Sequence, residues 1–135
     1  MQDILDALRE HQQATTSYVE LPDEDDFVRV QEEILIHVPR EFQYFLSEAG
    51  DIILGAIELA SANDNFAHNY LPELCANYWQ LGLPRHLIPI CASESPMYAI
   101  SQEGEVIEWD VRTQEQGESW ENIWYWARDC WLEQA

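Results

Sequence analysis

Lysine is absent from this chain of 135 residues, whose only fixed cations are six arginines set against 26 aspartates and glutamates. Neutralising nucleic-acid phosphates takes clustered Lys and Arg, so a formal net charge of −20 excludes backbone binding to DNA or RNA. The same deficit excludes electrostatic docking on an anionic membrane surface. Cysteine is scarce and odd in number. Cys75, Cys91 and Cys130 show no CxxC spacing, which implies reduced, buried thiols rather than a disulfide frame. No apolar run exceeds Ile52 to Ile57, far short of the ~20 residues that cross a bilayer. The opening MQDILDALRE lacks the basic n-region of a signal peptide. A cytoplasmic protein is expected.

Catalytic vocabulary is equally thin. The sequence holds no Gly-rich phosphate loop, GxSxG elbow, HExxH helix or zinc-type cysteine spacing. His11, His37, His68 and His86 share no ligand spacing. His68, Cys75, Asp64 and His86 carry ligand-type atoms, but nothing in their order requires them to converge. Cys75 also falls on a helix's apolar stripe, where a core thiol belongs. Pairs such as Glu32 with Glu33, or Glu103 with Glu105, are what a solvated face of so acidic a chain presents. The expectation is no enzyme, no metal and no cofactor.

What the chain does have is a core. With 47% hydrophobic residues, six Trp and six Tyr, it is too apolar for a disordered acidic tail and long enough for one domain. Residues 1–22 read as an N-terminal helix (Asp3 to Gln13) and a connector, and 23–135 as the core. A helix is expected from the acids at Asp23 to Asp26, with Phe27, Val30, Ile34 and Leu35 as its stripe. Another follows over REFQYFLSEAG, stopped at Gly50. Ile52 to Leu59 reads as a buried strand, Ser61 to Tyr70 as a long polar loop, and Leu71 to Tyr78 as a fourth helix. Short strands are expected at Leu87–Cys91, Met97–Ser101 and Glu105–Trp109, the last two joined through Gln102-Glu103-Gly104. SWENIWYWARDCWLEQ closes the chain as a helix capped by Ser119. Trp120, Ile123, Trp124, Ala127 and Trp131 form its core face, and Tyr125 and Trp126 its flank. The order is α+β: a mostly antiparallel sheet of about four or more strands flanked by helices.

The run EEILIHVPREFQYFLSEAGDIILGAIEL resembles the front half of the SUKH superfamily, the Smi/Knr-type domain of cell-wall regulators and bacterial immunity proteins. Val38-Pro39 stands at that family's Leu-Pro step, Phe45-Leu46 at its Phe-Leu pair, and Ala49-Gly50-Asp51 at its Asn-Gly-Gly turn. Leu87-Ile88-Pro89-Ile90 is similar to its Ile-Pro-Ile strand, and Val106 to Asp110 to its Val-x-x-Trp-Asp. Ala92-Ser93-Glu94-Ser95-Pro96 departs from the Gly-containing loop that often follows. The resemblance, from about Phe27 to Leu132, implies a helix-flanked antiparallel sheet and a binding role without naming a ligand.

Charge points the same way. A folded chain of this mass exposes about 7,300 Å², so an even spread gives an ~800 Å² footprint only about two net negative charges. Clusters therefore matter. Glu20 to Asp26 divides between helix N-terminal charge and an interaction patch. Glu103, Glu105, Glu108, Asp110, Glu115, Glu118 and Glu121 crowd a hairpin and loop that no helix dipole explains. The expected partner-binding residues are the first six of these, with Trp126 as an aromatic anchor. The preferred expectation is an immunity protein that neutralises a basic toxin, plausibly a nuclease, by phosphate mimicry. A regulatory adaptor with an unrelated protein partner is the alternative, and a small hydrolase around His68 a third reading.

Overall fold

The structure, a computed structural model, describes residues 1–12, 20–93 and 96–134. Five helices are described: α1 Gln2–His11, α2 Glu24–Ile34, α3 Arg40–Ala49, α4 Leu71–Gln80 and α5 Ile123–Trp126. Six strands accompany them: β1 Glu58–Leu59, β2 Ile88–Pro89, β3 Cys91–Ala92, β4 Met97–Ile100, β5 Val106–Asp110 and β6 Glu115–Trp120. The fold is α+β, as its order of elements predicts. Of the expected connector, residues 14–19 fall outside the described residues, as does Gln13 at the expected end of the first helix.

Local chemistry sets the helix ends. Asp23 accepts from the Asp26 amide while the Asp26 carboxylate accepts from the Asp23 amide, a complete capping box for α2. Leu35 ends that helix in the left-handed region at φ 65°, which turns its side chain out to 79% exposure instead of extending the stripe. Gln31 then organises the step into α3, its Oε1 accepting from the Val38 amide at 2.8 Å.

Ile52 to Leu59 is not one strand. Gly55 at φ 63° turns the chain back, Leu54 bridges Ile57, and only Glu58–Leu59 pairs as β1, antiparallel to β3. A left-handed residue in mid-run breaks the ladder while Ile52 and Leu54 still reach the core.

The main sheet has the order β2-β4-β5-β6, antiparallel throughout. Tyr98, Ile100, Val106 and Trp120 share one face with Trp126 of α5, part of the large core made with α1 to α3. Met97, Ala99, Ile107 and Trp109 point the other way into a second, smaller core with Leu83 and Leu87. Both faces are covered, which is why Val106 and Ile107 are buried side by side.

The C-terminal segment departs most from simple periodicity. Trp120 belongs to β6 rather than a helix, and the cap is Asn122, whose Oδ1 accepts from the Tyr125 amide at 3.0 Å. After α5 the backbone widens into a π-turn over Ala127–Trp131, then a 3₁₀ turn over Leu132–Gln134. That wider turn moves the apolar face. Trp126 is consequently buried with no exposed surface, a correction to its expected place on an open flank. Tyr125 remains at the surface, with the Arg128 guanidinium 4.8 Å over its ring.

Candidate partner-binding surface

The acidic segment folds as the β4–β5–β6 meander, and the strand alternation divides its carboxylates. Glu103 and Glu105 flank the turn into β5, where Gly104 adopts φ 93° and lies against the Glu41 carboxylate of α3. Gln102 donates to the His37 carbonyl at 3.0 Å, fastening this end to the α2–α3 link. Asp110 and Glu115 face each other at the far end of the hairpin, roughly 17 Å along the strand from Glu105. That separation exceeds a Debye length of about 8 Å at physiological salt, so the two ends act as separate patches.

Glu108 sits between them on the face toward α5, its carboxylate lying over Gly117 of β6. A bulge between Ile107 and Trp109 sets Gly117 and Glu118 opposite Glu108. The Cys130 thiol records the result. Burial first, then the charges of Asp129, Glu118 and Glu108, push it up to about 11, against the pull of a hydrogen bond with Tyr98. Glu108 and Glu118 therefore share a locality with Asp129, which sequence reasoning did not include. Arg128 holds Asp129 through its Nε at 2.7 Å and Nη2 at 3.3 Å, and that pairing keeps the carboxyl below its usual range.

Asp110 has a structural task as well. Its Oδ1 accepts from the Arg112 and Thr113 amides at 2.9 and 3.3 Å, closing the β5–β6 turn, with Gln114 left-handed at φ 58°. Among the described residues, Arg9 pairs with Asp51, Arg29 with Asp26, Arg128 with Asp129 and His68 with Glu58. None of Glu103, Glu105, Glu108, Asp110, Glu115 or Glu118 has an ion-pair partner in that set. By contrast Asp23 and Asp26, in the other acidic run, serve the α2 cap and Arg29.

A cleft of about 1230 Å³ borders the meander, lined in part by Tyr78, Tyr98, Asp110, Arg112, Glu58 and His68. His68 Nε2 contacts Glu58 at 2.8 Å, and Cys75 is fully buried, so the ligand-type residues weighed in the sequence do not meet. No metal-holding group of His, Cys, Asp or Glu is found among the described residues.

The Ser61–Tyr70 loop holds a residue that sequence reasoning missed. Phe66 is 93% exposed at its tip. The loop beneath is braced: Asn69 donates to the Leu59 carbonyl at 2.6 Å, Asn63 to the Glu20 carbonyl at 3.0 Å, and the Phe66 amide to Asp64 at 3.1 Å. A lone aromatic inside SANDNFAHNY was the available signal.

Comparison with known proteins gives two findings. The family model described as SMI1-KNR4 cell-wall, of the SUKH group, matches residues 1–132. A crystal structure of a protein from Pseudomonas syringae pv. tomato superposes with a TM-score of 0.91 at 40% identity, covering 98% of this chain and 99% of that one. No curated protein matches. No described helix is long and apolar enough to cross a membrane.

Proposed function

Because this chain belongs to the SMI1-KNR4 family of the SUKH superfamily, we propose that it is a non-catalytic binding protein that neutralises a basic toxin, as bacterial immunity proteins do. One observation carries this reading: the meander carboxylates stand without counter-ions among the described residues, in a chain of net charge −20. Self-repulsion of that size costs stability, and a cationic partner relieves it while being steered in by the same field. A toxin that acts on nucleic acid must carry a basic cleft to hold phosphates, and a ridge of carboxylates competes for that cleft. The partner is a protein and the site of action the cytoplasm.

The test is co-purification from the native host with identification of the bound protein, followed by co-expression. A basic partner that is toxic alone and harmless with this chain supports the reading. A neutral or acidic partner, or toxicity unrelieved by the chain, overturns it in favour of a regulatory adaptor.

A further inference from the structure

We propose that β6 is a docking edge that takes one additional strand from an extended, cationic segment of the partner protein. The inference rests on the chain being a binder of basic proteins and adds the mode of binding.

β6 is the last strand of the main sheet and pairs on one side only, with β5. Glu115 to Ser119 are all exposed and Trp120 is half-buried, and no described element pairs with its outer edge. A six-residue edge with unpaired backbone donors and acceptors is a template for an incoming strand. Burying those backbone groups against a partner without hydrogen bonds would be costly, so a strand is the shape that fits.

Charge selects which strand. Glu115 and Glu118 lie on β6 itself, and Glu108 extends across Gly117, where a side chain would obstruct it. A second copy pairing here would set carboxylates against carboxylates, and like charges directly opposite destabilise a strand pair. An incoming strand bearing Arg or Lys at alternate positions sets its cations against these acids. Its apolar positions fall on the opposite face, beside Gln116 and Ser119 of β6, which pair with Trp109 and Ile107. The bulge at Gly117–Glu118 limits the match to a short segment. The proposed occupant is thus about six residues long, extended and basic.

The experiment uses the full chain and two hexapeptides of alternating Arg and Val, both acetylated and amidated. One is unmodified. The other is N-methylated at its two central residues, which removes a strand donor from each peptide edge and keeps every charge. The expected result is slowed amide exchange within 115–120 on adding the unmodified peptide, with at least tenfold weaker binding of the methylated one at equal salt. Replacing Glu115 and Glu118 by Gln should weaken the unmodified peptide at least fivefold with no loss of thermal stability. Equal binding of both peptides without protection of β6 overturns strand addition and leaves the acidic-surface reading standing. Failure of the unmodified peptide to bind overturns the proposal too, as does concentration-dependent protection of β6 in the free chain, which would make a second copy the occupant. Loss of toxin relief in co-expression, with peptide binding intact, would instead overturn the toxin reading alone.

Discussion

Trp126 and Trp131 stack with ring centroids 6.3 Å apart and planes 19° from parallel, although five residues separate them. In an α-helix that spacing rotates two side chains about 140° apart, onto different faces. The π-turn between them supplies the extra residue per turn that brings both indoles into the core. Their polar ends differ. The Trp131 indole donates to the Leu54 and Ile57 carbonyls, each at 3.2 Å, whereas the buried Trp126 indole nitrogen has no hydrogen-bond partner among the described residues.

Both Trp126→Ala and Trp131→Ala should therefore destabilise by ~3–5 kcal/mol, the usual cost of deleting a large buried aromatic. The phenylalanine variants separate the pair. Trp131→Phe removes two indole hydrogen bonds, while Trp126→Phe removes an unsatisfied donor, so the first should cost ~1–3 kcal/mol more than the second. Denaturant melts with equal losses for the two Phe variants would contradict the hydrogen-bond assignment.

Alkaline pH should unfold the protein early. Burial pushes the Cys75 and Cys91 thiols from near 9 up to about 12, and burial together with the bond to Glu33 takes Tyr70 from 10 to about 12. Each group is raised in the folded state, so the stability it supplies is whole below the unfolded pKa and lost as pH climbs through the folded one. The denaturant midpoint should hold below pH 9 and fall between 9 and 12. Cys75→Ala should flatten that slope; an unchanged slope would mean the thiol is not shielded.

Thiol labelling reads the acidic cluster directly. Cys130 is half-buried and Cys75 and Cys91 are fully buried, so Cys130 should react first in native protein and the others only through unfolding. Glu108→Gln with Glu118→Gln removes two of the charges that raise the Cys130 thiol, so labelling near pH 8 should speed up. A rate that stays the same would place those carboxylates elsewhere.

Steering can be tested by matched charge removal. Glu108, Glu115 and Glu118 changed together to Gln should slow association with a basic partner several-fold at low salt, with the effect fading as salt rises. Glu24, Asp25 and Glu32 make the control, because Asp23 and Asp26 are committed to the α2 cap and their loss would cost about 1 kcal/mol of stability. A control that slows association more would move the interface to α2.

The helices and most strands were legible because their apolar spacing is regular: Phe27, Val30 and Ile34 of α2, or Phe42, Phe45, Leu46 and Ala49 of α3, need only a count of 3.6. The failures share one cause, a local change of period. Gly55 turns a run that reads as a strand, and the π-turn carries Trp126 inward from a predicted flank. β6 was hidden differently. Glu-Gln-Gly-Glu-Ser shows no alternation because both faces of an edge strand meet water, so its acids looked like loop. The acids were found, but their separation into a Glu103–Glu105 end and a Glu108–Glu118 group needs the sheet register.

The sheet's two covered faces also set how the molecule breathes. Leu83, Leu87, Met97, Ala99, Ile107 and Trp109 form a core of six residues on one side, while the other side joins residues of all five described helices. Opening the small side exposes little apolar surface, so it costs much less than global unfolding. The Leu81–Leu87 segment after α4 should then open as a separate foldon while α2, α3 and the stacked tryptophans stay shut. Its amides should exchange at denaturant concentrations that leave those of α3 untouched, and each opening briefly bares Trp109 on the sheet face beside β6.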